Sequence, residues 1–202
     1  MGIYATKSKW QQALGGVVEF CVEWHVHPNV FTLGALALAL VAAIALALAG
    51  SDPAILWLVP PCILARLLFN LLDGQVARAR GLADRWGEVK NESGDRLADA
   101  AIFLAFCFGG YTDARLAALV AVLVVLISYL GILGKATSGM RLYDGVFGKG
   151  DRMISLTLFT LWVLTGRDPV DYNIYLILAA CAAVVTIVQR VKSLHEHAKS
   201  LR

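Results

Sequence analysis

Charge is scarce in this chain. Lys, Arg, Asp and Glu make up 16% of its 202 residues, against roughly 25% in soluble proteins. Hydrophobic residues make up 58%, and the mean hydropathy is +0.67. That balance excludes a soluble core protein and implies one compact integral membrane domain. A net charge of +3 does not suggest a nucleic-acid partner. Cysteine is sparse as well. Cys21, Cys62, Cys107 and Cys181 form no CxxC pair and lie in mostly apolar surroundings, which points to small packing residues rather than a zinc site or disulfide framework. The first 30 residues hold Lys7, Lys9, Glu19 and Glu23 without a clean apolar run, so no cleavable signal peptide is expected. His25, His27, His195 and His197 flank apolar segments and read as structural or solvated groups. An internal repeat with breaks in both halves, which a small transporter would carry, is not visible.

What is present is a set of apolar segments of membrane-crossing length. They predict an all-α integral membrane protein with six spans, over residues 30–50, 54–78, 91–109, 114–134, 152–165 and 172–191. Pro60-Pro61 predicts a kink in the second. Residues 1–28 form a separate juxtamembrane segment. There Trp10, Leu14, Val17, Val18, Phe20, Cys21 and Trp24 alternate with Lys, Gln and Glu, which predicts an amphipathic helix lying on the cytosolic leaflet or packed on the domain. Residues 29–192 form the membrane domain and residues 193–202 a cytosolic tail. Basic residues crowd the termini and the 79–90 and 135–152 connections, whereas the opposite turns hold only Arg115 and Arg167. The positive-inside rule makes the crowded side cytosolic, as expected for a multi-pass protein of the inner (cytoplasmic) membrane.

Acidic and amide groups at membrane depth are costly and mark functional sites. Here they recur at helical spacing: Asn70 and Asp73, then Asn91, Asp95 and Asp99 at every fourth position. Residues three or four apart share a helix face, so two helices can turn oxygen ligands toward one point. An oxygen-only set without Cys or His suits a hard divalent cation, Mg²⁺ or Mn²⁺. Arg66, about a turn before Asn70 inside an apolar run, neutralises a carboxylate or snorkels to the interface. Lys135, Arg141 and Lys149 or Arg152, near Thr137, Ser138 and Gly139, either bind a phosphate or simply set the topology.

Asp73-Gly74-x-x-Ala77-Arg78, eight residues, then Gly87 resembles the signature of the CDP-alcohol phosphotransferases, Asp-x-x-Asp-Gly-x-x-Ala-Arg, eight residues, Gly-x-x-x-Asp-x-x-x-Asp. His27-Pro28-Asn29-x-x-Thr32 is similar to the Pro-Asn-x-x-Thr that opens the family's first span. The chain departs from the signature at Asn70 and Asn91, which stand at the first and third acidic positions, and Asp99 lies one turn past the fourth, Asp95. Aligning Asp95 and Asp99 as the last pair is the alternative. A subgroup of bacterial members is similar in both Asn positions and the added Asp.

The resemblance implies transfer of a phosphatidyl group from a CDP-linked lipid such as CDP-diacylglycerol to a small alcohol or lipid acceptor, with release of CMP. It implies metal ligation by Asn70, Asp73, Asn91, Asp95 and Asp99, and donor binding by Asn29, Thr32, Gly74, Ala77, Arg78 and Gly87. Asp95 matches the base that takes the acceptor's proton, with Asp99 its rival. A homodimer is likewise implied. The two Asn positions leave a second reading open, a degenerate member that binds lipid or nucleotide without turnover. They also leave open whether one ion or two would bind.

Overall fold

A computed structural model describes residues 14–139 and 141–200, and among these residues every regular element is helical. A short helix α1 (Gly15–Glu23) leads into α2 (Pro28–Leu48). A 3-10 helix (Pro53–Leu58) runs into α3 (Val59–Ala79), and α4 (Arg85–Ala105), α5 (Ala114–Ser138) and α6 (Lys149–Val163) follow. A 3-10 turn (Pro169–Asp171) leads into α7 (Tyr172–Ser200). Helix α2 packs against α3 and α4, α4 against α5, α5 against α7, and α3 against α6.

Four segments are long and apolar enough to cross a bilayer: Pro28–Leu48, Pro53–Ala79, Ala114–Thr137 and Pro169–Lys199. The other two expected spans fall short for different reasons. Helix α4 carries Arg85, Glu88, Lys90, Glu92, Asp95, Arg96 and Asp99 in its first fifteen positions. Helix α6 has 15 residues, about 22 Å at 1.5 Å per residue, against a hydrocarbon core of about 30 Å.

Element boundaries also differ from expectation. Helix α4 begins at Arg85 rather than at 91, because the Asp84 side chain caps it by accepting from the Gly87 amide at 2.5 Å. Gly87 and Asn91 therefore lie on the helix. Pro60-Pro61 makes no mid-span kink. The pair falls in the first turn of α3, after a 3-10 segment, where a missing N–H costs nothing. Helix α7 runs on through the polar tail to Ser200. Helix α5 ends at Gly139, which takes the left-handed conformation (φ 72°) usual at this position.

Small residues bring the helices together. Ala35, Ala39, Ala42, Ala43 and Ala45 are the buried face of α2, as expected where close backbone approach replaces a hydrophobic driving force. An aromatic cluster of Phe106, Tyr111, Phe159, Tyr172 and Tyr175 fills the end of the bundle away from the motif, with centroid separations of 5.0–6.4 Å. Its hydroxyls are satisfied, Tyr111 donating to the Leu46 carbonyl at 2.6 Å and Tyr172 to Thr160 at 2.7 Å.

Of the N-terminal segment, residues 15–23 are helical, while Trp10 lies outside the described residues. Cys21 is buried beside Phe31, Leu72 and Val76, while Phe20 and Trp24 remain exposed. The link from α1 to α2 is pinned from α3, since Arg80 donates to the carbonyls of His25 and Val26 at 2.9 and 2.8 Å. His27 caps α2 through its Nδ1, which accepts from the Asn29 amide at 3.2 Å.

Candidate active site

Three helices converge where the motif lies. Helix α2 contributes Thr32, α3 contributes Arg66 and Asn70, and α4 contributes Asn91, Gly94 and Asp95. Together these line a cleft of about 170 Å³. Helical spacing explains the convergence, since Arg66 and Asn70 stand one turn apart on α3 and Asn91 and Asp95 one turn apart on α4. The Asn70 amide nitrogen donates to the Arg66 carbonyl at 3.0 Å, so its side-chain oxygen remains the acceptor offered to a ligand. Asp73, one turn further along α3, is buried, and its Oδ1 accepts from the Gly74 amide at 2.5 Å.

The remaining motif positions are disposed around this cleft rather than in it. Asn29 accepts from Lys90 Nζ at 3.0 Å, tying the start of α2 to α4. The exposed Arg78 folds back over Gly74, its guanidinium 3.3 Å from where a Cβ would stand. A Cβ on Gly87 would stand 2.8 Å from the capping Asp84 carboxylate. The cap is thus a local reason for glycine at 87, separate from any approach of a nucleotide. Ala77 is half-buried on α3 between these groups.

Asp99, which its spacing offers as rival base and metal ligand, is paired with two buried guanidiniums. Its Oδ1 accepts from Arg66 at 2.8 Å and its Oδ2 from Arg152 at 2.6 Å, and all three side chains are about 1% exposed. Arg96 approaches the same carboxylate at 3.8 Å. Both carboxylate oxygens are thus engaged by charge-assisted hydrogen bonds inside the bundle. Arg66 therefore neutralises a carboxylate rather than snorkelling, and its Nη1 also points at Met153 Sδ, 3.0 Å away.

Asp95, one turn earlier, has a different setting. It is 13% exposed, and its Oδ1 meets Lys149 Nζ at 2.5 Å, with Arg66 more distant at 3.9 Å. Lys149 is the first residue of α6, and its side chain also belongs to a second cleft.

That second cleft, of about 350 Å³, is strongly basic. Arg96, Arg141, Lys149, Arg152 and Arg190 line it, with Ser128 and the Gly148 backbone. Arg141 is held by a bidentate pair with Glu92 at 2.6 and 2.9 Å, and Glu92 also meets Arg96 at 2.5 Å. Arg190 donates to the carbonyls of Asp144 and Ile127 at 2.9 and 2.5 Å. Of the cations expected to bind phosphate, the cleft contains Arg141 and both Lys149 and Arg152. Lys135 lies outside it, in an exposed pair with Glu88. The reason is geometric, since Lys135 sits on the last turns of α5 facing the first turn of α4.

Sequence reasoning passed over Arg96 and Arg190 as site residues. Arg190 had one readable sign, Gly131 in the middle of an apolar helix. A Cβ there would come within 2.7 Å of Arg190 Nη1, so the glycine makes room for the guanidinium.

Comparison with known proteins gives this architecture a place. The chain is 35% identical over 164 residues to the inner membrane protein YnbA of Escherichia coli K12, covering 81% of this chain and 80% of that protein. It is 27% identical to the phosphatidylinositol phosphate synthase of Cutibacterium acnes over 96% of this chain and 98% of that one. Its fold matches the Mycobacterium tuberculosis phosphatidylinositol phosphate synthase with CDP-DAG bound, with a TM-score of 0.73 at 23% identity, covering 89% of this chain and 92% of that one. The same enzyme in complex with manganese and citrate gives a TM-score of 0.72, again at 23% identity, over 89% and 87% of the two chains. The profile of the CDP-alcohol phosphatidyltransferases matches residues 25–188, and the chain belongs to that family.

Proposed function

We propose that this enzyme transfers a phosphatidyl group from CDP-diacylglycerol to a phosphorylated alcohol, with inositol phosphate the leading acceptor, and releases CMP. The observation that carries this reading is the junction of the two clefts at Asp95 and Lys149. One cleft presents amide and carboxylate oxygens beside the donor-binding motif, and the other gathers five cations suited to a phosphate. The relatives named phosphatidylinositol phosphate synthases support the acceptor class. The CDP-DAG in the M. tuberculosis structure supports the donor.

Asn70, Asp73, Asn91 and Asp95 offer a donor set fit for a hard divalent cation. It comprises two carboxylates and two neutral amide oxygens, without sulfur or imidazole. Mg²⁺ and Mn²⁺ both suit it, and manganese is present in the M. tuberculosis neighbour. When bound, such an ion neutralises pyrophosphate charge and polarises the phosphoryl oxygen. The chain's own residues do the rest. Thr32 lines the donor-side cleft, Asn29, Gly74, Ala77 and Gly87 surround it, and Arg78 pairs with a donor phosphate. Arg141, Arg152 and Arg190 orient the acceptor's phosphate. Asp95 accepts the proton of the attacking hydroxyl, and the hydroxyl oxygen then bonds to the lipid-linked phosphorus as CMP leaves. Asp99 acts at one remove, by holding Arg66 and Arg152 in place.

We assign both clefts to the cytosolic side of the inner membrane, where CDP-lipid headgroups and phosphorylated alcohols meet. Helices α4 and α6 complete six crossings by packing against the four longer spans, so that the charges of α4 face protein rather than lipid. Residues 15–23, with Phe20 and Trp24 outward, lie at the membrane surface. A homodimer completes the assembly, as in the family resemblance.

The test is CMP release from CDP-diacylglycerol by purified protein with Mn²⁺ or Mg²⁺. Release that requires the metal and is faster with inositol phosphate than with inositol is the expected result. Equal rates with both acceptors would refute the assignment of the basic cleft. Binding of the CDP-lipid without release under any condition would favour the reading without turnover.

A further inference from the structure

The two carboxylates of α4 differ in how tightly their cations are held, and the difference falls on Lys149. The Arg66–Asp99–Arg152 group is about 1% exposed and doubly bonded. Lys149 and Asp95 are each 13% exposed and meet through one oxygen. The same Lys149 side chain lines the basic cleft beside Arg96, Arg141 and Arg190. A lysine ammonium is a compact charge on a flexible stem, unlike a guanidinium fixed by a planar fork. Its backbone is anchored at the first turn of α6, where the Asp151 carboxylate accepts from the Gly148 amide at 3.2 Å. The head can therefore swing between Asp95 and the cleft while the helix stays in place.

We propose that Lys149 is a positioning residue that couples the two clefts. With the basic cleft empty, its ammonium holds the Asp95 carboxylate. When an anion fills that cleft, the ammonium turns to the anion and releases Asp95 toward the donor side. Asp95 is thereby available only when an acceptor is in place, which suppresses attack by water on the donor. This rests on the assignment of Asp95 and the basic cleft given above, and it adds an order of events that neither cleft implies alone.

The test measures Mn²⁺ affinity by the electron paramagnetic resonance of free Mn²⁺, on the full chain in detergent, with and without saturating sulfate as the probe anion. Sulfate is expected to tighten Mn²⁺ binding to the wild-type protein about ten-fold, within the usual range of coupling between sites. Lys149→Gln is expected to bind Mn²⁺ tightly without sulfate and to show no further response. In turnover, Lys149→Gln raises acceptor-independent CMP release relative to acceptor-dependent release. Wild-type Mn²⁺ affinity unchanged by sulfate, or a full sulfate response in Lys149→Gln, would overturn the proposal. The coupling is read without turnover. An active enzyme lacking it loses only the coupling, whereas an inactive protein showing it loses only the reaction.

Discussion

The donor-side cleft and the basic cleft lie either side of one helix, α4, and they handle charge in opposite ways. The donor side has few charges, and the amides Asn70 and Asn91 stand where the family signature has carboxylates. The basic side has five cations, and Glu92, Asp95 and Asp99 of α4 pair with four of them, Arg96, Arg141, Lys149 and Arg152. Asp95 and Asp99 are one turn apart, yet Asp99 is locked between guanidiniums and Asp95 sits at the seam. Two carboxylates at equivalent spacing thus have different settings, decided by what faces each across the bundle.

Four substitutions probe that contrast. Asp95→Asn removes the exchangeable carboxylate and is expected to lower CMP release by at least the roughly 10²–10⁴-fold typical of a lost general base, with the melting temperature in detergent little changed. Near wild-type activity would refute its role. Asp99→Leu leaves Arg66 and Arg152 buried without their counter-ion. It is expected to cost about 3–5 kcal/mol of stability, seen as a lowered thermal midpoint. A thermal midpoint equal to wild type would contradict the buried counter-ion role of Asp99.

Smaller effects sharpen the basic side. Arg141→Ala is expected to raise KM for a phosphorylated acceptor about ten-fold or more, as for a lost charge-assisted hydrogen bond of about 1.5–3 kcal/mol, with a smaller change in kcat. An unchanged KM removes Arg141 from the acceptor site. Lys135→Ala should leave both constants and the melting temperature near wild type, because its exposed pair with Glu88 is worth about 0–1 kcal/mol. A large rise in KM there would extend the acceptor site beyond the cleft.

Much of this candidate site is legible in the chain because its residues are paired locally. Asn70 and Asp73 on one helix, and Asn91 and Asp95 on another, declare their faces by spacing alone. Thr32 follows from the resemblance of its segment to the family's first span. Long-range pairings are not legible. Nothing near Asp99 in sequence announces that Arg152, 53 residues away, takes one of its oxygens, and the spacing that made Asp99 look like a ligand is equally good for a counter-ion. Arg190 reads as a topological charge because the cleft it lines is assembled from four separate stretches of chain.

The fold shows the same division. Apolar length revealed the four long spans. The first turns of α4 and the last turns of α7 were hidden because their charged residues look like loop and tail, and only the cap at Asp84 shows where α4 begins. The charges of α4 that obscured the helix are the ones that line the two clefts or pair with their cations.

The most direct test of the account is the rate of CMP release from CDP-diacylglycerol, with Mn²⁺ or Mg²⁺ present, compared between inositol phosphate and inositol for wild type and Asp95→Asn. The account predicts metal-dependent release by wild type that is faster with the phosphorylated acceptor and is lost in Asp95→Asn. Release that is indifferent to the acceptor's phosphate, or that persists in Asp95→Asn, would contradict it.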